Sequence, residues 1–207
     1  MAKNIYDSLH DQYMKYAKGS PSGAVVENAV QWFYSQVKNT FGSTRVPFSV
    51  AEQGAARITS DRIEAGKMYL FEYSASKDED YFDRFPLVIP FTLEEDRILG
   101  FNLHYIPSLY RVRAMSAIVK SATPDRKYPP TKIAATSIDY TTIDGGALNY
   151  MRISVRTYLF RRIQSKIVEI PATGWLTAAF LPTASYRGSN MTENKVAAEM
   201  LRQIRNL

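Results

Sequence analysis

The sequence predicts an α+β protein: a small antiparallel sheet or SH3-like half-barrel covered by helices, with a helical N-terminal appendage. Three observations carry that prediction. KMYLFEYSA, residues 67–75, alternates Met68, Leu70 and Glu72 with Tyr69, Phe71 and Tyr73, which is the period of a strand with one aromatic face. FPLVIPF and RILGFNLHYI flank the acidic turn LEED, as the two arms of a hairpin do. SLYRVRAMSAIVKSA, residues 108–122, spaces Leu109, Val112, Met115, Ala117 and Val119 as a loosely amphipathic helix, the cover that a sheet with an apolar face needs.

Taken in chain order, Ile5, Leu9, Tyr13 and Tyr16 recur at helical spacing, and GSPSG at 19–23 interrupts them. A second helix is expected over 24–40, with Val26, Ala29, Val30, Phe33 and Val37 on one face and Phe41-Gly42 at its end. Residues 1–42 then form the appendage, 43–56 a linker, 57–191 the core domain and 192–207 a C-terminal helix. In FPLVIPF, Pro86 and Pro90 cannot donate to a ladder, so they belong at a bulge or at an edge, which they would blunt against stray pairing. Leu99, Phe101, Leu103 and Tyr105 point one way in the returning strand.

Ser108 follows Pro107 as a candidate N-cap. PDRKYPPTK reads as a connection, and IAATSIDYTTIDGG as a short helix ended by paired glycines. ALNYMRISVRTYLFRRIQ is expected to be helical, with apolar residues all round the axis and so buried or between subunits. SKIVEIP and WLTAAFLP read as strands closed by proline. Thr192 caps a last helix that carries Val196, Met200, Leu201 and Ile204 on one side.

The 207 residues contain no cysteine, which excludes a disulfide framework, a thiolate nucleophile and sulfur-ligated zinc. Acids and tyrosines occupy the start where a secretory signal needs an apolar block, and no stretch is apolar enough to span a membrane, so a cytoplasmic origin is expected. The 14 tyrosines suit contact surfaces or half-buried strands. Charge is split. Residues 1–107 carry 11 Lys+Arg against 14 Asp+Glu, a balance of −3, and residues 108–207 carry 15 against 6, a balance of +9. The positive half favours an anionic partner, either nucleic acid or an acidic protein surface.

Signatures of catalysis are missing: no G-x-S-x-G, no H-E-x-x-H and no phosphate-cradling glycine loop. His10 reads as a solvated helix residue and His104 as a structural side chain on a strand. Asp78, Glu79, Asp80 and Asp83 could hold magnesium for a nuclease, but all four fall in one loop between Lys77 and Arg84, as in a solvated turn. No catalytic residue, metal or cofactor is therefore assigned. The basic residues are more telling: if their segment is helical, Arg152, Arg156 and Lys166 lie within about a third of a turn, with Arg162 nearby. Arg111, Arg113 and Arg161 join them as candidate contacts to nucleic acid or to a partner protein, and Arg187, Arg202 and Arg205 add to the same half. Arginine's planar fork suits phosphate, and Tyr150, Tyr158 and Phe160 are interleaved for stacking on bases.

Several of these stretches, in this order, resemble a family of virion proteins of T-even-type tailed phages (myoviruses) and cyanophages labelled DNA end protector. The resemblance runs over 65–186. It rests on the Tyr-rich strand, on Tyr81-x-Asp83-x-Phe85-Pro86, on Gly100-x-Asn102-x-His104-Tyr105, on the basic TYLFRRIQSKIVEI and on GWLTAAFLP. It makes Tyr81, Asp83, Phe85, Pro86, Asn102, His104 and Tyr105 the family core and places Arg156, Arg161 and Arg162 in the basic segment. The two N-terminal helices and Ser108-Leu109-Tyr110 depart from the pattern. The resemblance implies a non-enzymatic component of the virion, assembled in the host cytoplasm, within a symmetric assembly and away from any membrane. Its partners would be other virion proteins and double-stranded DNA ends near the head–tail junction, which it would shield from exonuclease. The alternative is a tail or baseplate protein that touches only other virion proteins.

Overall fold

Alternating side chains build a sheet with two apolar faces. Met68 and Leu70 enter one hydrophobic cluster, whereas Tyr69 and Phe71 enter another. The computed structural model describes residues 5–18, 32, 35, 57–76, 79–122, 145–180, 184–188 and 190–206. Apart from Trp32 and Ser35, the helix expected at 24–40 lies outside the described residues, as do the linker 43–56 and the connection and short helix expected before Gly145.

The elements are α1 (Ile5–Ala17), β1 (Arg57–Ile58), β2 (Met68–Leu70), β3 (Phe82–Asp83), β4 (Leu87–Leu93), β5 (Arg97–Asn102), α2 (Ser108–Ala122), α3 (Gly145–Arg152), β6 (Val155–Leu159), β7 (Ile167–Ile170), α4 (Trp175–Phe180), β8 (Tyr186–Arg187) and α5 (Glu193–Arg205). The class is α+β. One antiparallel sheet has the order β1-β7-β2-β4-β5-β6, and β3 pairs with β8 apart from it. The sheet is not closed into a barrel; among the described residues β1 and β6 are its edges.

The hairpin is β4–β5, with Val88 opposite Asn102 and Leu93 opposite Ile98, and its register shifts between Pro90 and Thr92. Pro90 thus sits at an irregularity, where a missing N–H is tolerated within a sheet. The expectation that the prolines blunt an edge is corrected, because β4 lies between β2 and β5. Gly100, opposite Pro90, has no room for a side chain: a Cβ there would stand 2.5 Å from Val88 Cγ1 and 2.9 Å from the Ile89 carbonyl oxygen.

Helices cover the first face. Val112, Met115 and Val119 of α2 enter the cluster of Met68, Leu70, Leu87 and Ile89 as the amphipathic pattern required, joined by Ile118, which the pattern left out, while Leu109 and Ala117 are only partly buried. Tyr6, Leu9, Tyr13 and Ala17 of α1 enter the same cluster, and Asp7 binds Lys120 (2.9 Å) and Ser116 (2.7 Å) of α2. Ile5 and Tyr16, expected on the inner side of α1, are instead about half exposed (46% and 51%). Aromatic rings fill the second face. Tyr158 meets Tyr73 edge-on at 4.9 Å and Phe71 at 5.4 Å, with Tyr69, Val88 and Ile98 around them.

Three assignments change. The single helix expected from ALNYMRISVRTYLFRRIQ is a helix, a strand and a 3₁₀ turn. The Ser154 hydroxyl and amide both bond to the Met151 carbonyl (2.7 and 2.9 Å) at the end of α3, and Val155–Leu159 joins β5. Val155, Thr157 and Tyr158 favour strand, and apolar residues that surround a helical axis are compatible with alternation along a strand. Gly145 and Gly146 begin α3 rather than end a helix. WLTAAF is a helix, not a strand: the Trp175 indole N–H bonds to the Ile170 carbonyl (3.0 Å), folding the chain back after Pro171. α5 has the expected cap, with Thr192 Oγ1 accepting from the Lys195 amide (3.3 Å).

Candidate nucleic-acid interface

Asp83 ends β3 and is 2% exposed, so its carboxylate must find donors inside the protein. It finds four. Oδ1 accepts from the amides of Phe85 (3.1 Å) and Ser185 (3.2 Å); Oδ2 accepts from Asn102 Nδ2 (3.1 Å) and lies 2.6 Å from His104 Nδ1. These fill the roughly four acceptor positions of an ionised carboxylate. Asn102 also donates to the Tyr158 hydroxyl (2.9 Å) and accepts from the His104 amide (3.0 Å). Burial pushes the Tyr158 phenol well above its ordinary pKa. Three of the resemblance's core residues, Asp83, Asn102 and His104, are therefore a buried polar keystone between the hairpin and β3–β8. His104, 3% exposed and held by Asp83, orients that keystone and offers no open face to a substrate.

Arg111 changes role. It is 3% exposed, and its guanidinium donates to the carbonyls of Ile106 (3.0 Å), Ala179 (2.7 Å) and His104 (3.4 Å). Burial lowers its pKa, yet an arginine remains charged, and the Ala179 carbonyl near the C-terminus of α4 complements that charge. The expectation that Arg111 faces a partner is corrected. Arg156 is intermediate. Its carbon Cζ sits 3.9 Å from the Tyr105 ring centroid, and it donates to the Ile153 (3.0 Å) and Val155 (2.7 Å) carbonyls. Tyr81 and Tyr186 pack on Tyr105 at 6.1 and 5.6 Å, and Tyr81 donates to Glu199 of α5 (3.4 Å). Arg162 is half-buried and donates to the Ala75 carbonyl (2.8 Å).

Among the exposed cations are Arg113, Arg152, Arg161, Lys166, Arg187, Arg202 and Arg205. Among the described residues none of them forms an ion pair with a carboxylate, whereas Lys67, Arg84, Arg97 and Lys120 do. Arg113 lies 5.7 Å from the ring centre of Tyr150. The common helical face expected for Arg152, Arg156 and Lys166 does not form, because they fall on α3, on β6 and on the loop before β7. Tyr158, expected to stack on bases, is 4% exposed and belongs to the keystone. Of the acidic loop, Asp78 lies outside the described residues, Glu79 and Asp80 are exposed, and Asp83 is turned inward. No metal-binding group of three or more acidic or histidine side chains exists among the described residues.

A family model described as "Phage T4 terminal DNA protecting protein" matches residues 4–200. The chain belongs to that family. The match corrects the extent of the resemblance, since it takes in α1 and α5 through Met200, which 65–186 left out. The keystone and the aromatic cluster of Tyr81, Tyr105 and Tyr186 thus lie wholly within the terminal DNA protecting family's span. No curated protein and no solved structure matches the chain. The pairing of Asp83 with Ser185 and of Arg111 with Ala179 escaped the sequence reading; its only trace was a set of polar residues inside apolar runs.

Proposed function

We propose that this phage protein is a non-enzymatic virion component that binds the ends of the packaged linear genome and shields them from exonuclease near the head–tail junction, beside other virion proteins. The family match over 4–200 carries the reading. The exposed arginines of the second half support it: without carboxylate partners among the described residues, they retain their full charge for phosphate oxygens. Binding is to the backbone, and affinity falls with salt in proportion to the phosphates contacted.

Linear duplex, with and without bound protein, is challenged with a processive exonuclease across a salt series. Protection that is strong at low salt and lost steeply as salt rises is the expected outcome. Protein that neither retains linear duplex on a filter nor slows its digestion at low salt would overturn the reading, as would imaging of the particle that finds the protein only at the distal tail.

A further inference from the structure

We propose that the cleft beside Phe85 receives the terminal nucleotide of a DNA end; this rests on the DNA-end reading and supplies what that reading lacks, a way to tell an end from the interior of a duplex. The cleft, of about 270 Å³, opens where β2 leaves the sheet and β4 and β7 enter it. Leu70, Phe71, Phe85 and Val168 form an apolar lining, and Glu72, Ser165 and Lys166 are its polar part.

Bonds between separate loops hold the walls. The Glu72 amide donates to Ser165 Oγ (2.9 Å), the Gln164 amide to the Glu72 carbonyl (2.8 Å) and the Tyr73 amide to the Arg84 carbonyl (2.8 Å). The Phe85 amide is tied to Asp83, and the Arg84 guanidinium, bonded to Glu72 at 2.6 Å, lies 5.0 Å from the centre of the Phe85 ring. Asp83 and Pro86 of this turn are buried, whereas Phe85, packed in part against the first hydrophobic cluster, keeps some of its surface for the cleft.

Charge selects the occupant. Arg84 matches Glu72, which leaves Lys166 as the uncompensated charge of the lining, with exposed Arg161 earlier in the same connection. An aromatic lining beside a free cation fits a flat base carrying a phosphate. Inside a duplex both faces of a base pair are covered by neighbours; a terminal pair has one bare face and separates at lower cost. The volume falls just short of the roughly 300–1,000 Å³ typical of drug-sized ligand sites, so the cleft takes one nucleotide and not a strand.

Photo-crosslinking of the full chain to short linear duplexes tests this, with 5-iododeoxyuridine placed either at the terminal position or well inside. The terminal probe is expected to label the peptide containing Phe85, and the interior probe to leave it unlabelled. Competition with closed circular duplex should favour the linear form, and Phe85→Leu should reduce that preference roughly tenfold. Lys166→Gln, a surface change, should reduce terminal labelling without altering thermal unfolding. Duplex that binds with terminal labelling elsewhere, or an unchanged preference for ends in both variants, would overturn the cleft assignment while DNA binding stands. A free deoxynucleoside monophosphate that competes as well as an end would overturn it too. Failure to bind any duplex at low salt would remove both readings.

Discussion

The Asp83–Asn102–His104 keystone and the exposed cations from Arg113 to Arg205 hold polar and charged groups in opposite ways. In the keystone the Asp83 carboxylate is buried and met by donors fixed in place; for Arg113, Arg152, Arg161, Lys166, Arg187, Arg202 and Arg205 the described residues supply no carboxylate. Buried charge is costly unless fully bonded, so the keystone contributes to one defined packing of the hairpin on β3–β8. Exposed arginines change stability little and are available to an anionic partner. Arg111 and Arg113, two residues apart on α2, show the contrast within one helix: the first meets the carbonyls of Ile106, His104 and distant Ala179, and the second stands exposed.

Asp83→Ala should break the contrast most strongly. It strips the acceptor from two backbone amides, Asn102 and His104 at once, and a loss of about 3–5 kcal/mol in urea unfolding is expected. A loss below about 1 kcal/mol would mean that the keystone anchors little.

Raising the pH tests the packing of the buried side. Burial pushes the Tyr69 phenol from 10.0 up to about 12 and raises those of Tyr105, Tyr158 and Tyr186. A raised phenol stabilises the fold in full below pH 10, and that contribution is lost as the pH climbs through about 12. The arginines remain charged across this window. Phenolate absorbance should therefore rise together with loss of tertiary circular dichroism. Ionisation of these tyrosines at their ordinary value in an intact fold would contradict the packing.

The smallest effect on the fold belongs to Arg161→Ala. Its stability should stay within about 0.5 kcal/mol of the parent, while the slope of log affinity against log salt on duplex DNA becomes shallower by about 1. A large loss of stability with an unchanged slope would place Arg161 with the keystone instead.

Much of the fold was legible. The β4–β5 hairpin, the helix at 108–122 and the Thr192 cap each depend on residues a few positions apart, and they form, although β5 ends at Asn102 and Leu103–Tyr105, expected to extend it, is a 3₁₀ turn. The stretch 147–164 was not legible, because apolar residues around a helical axis also suit a buried strand, and only pairing with β5 separates the two. The keystone was half legible: its residues drew attention as a motif, but bonds spanning 21 positions to His104 and 102 to Ser185 leave no local trace.

By itself, the order of amino acids determined the α+β class, the aromatic and aliphatic periods, the Thr192 cap and the excess of positive charge after residue 107. These follow from neighbour-to-neighbour chemistry and simple counting. Tertiary structure alone decided which cations are enclosed and which stand free, since that depends on the carbonyls, rings and carboxylates that distant segments bring within a few ångströms of each guanidinium.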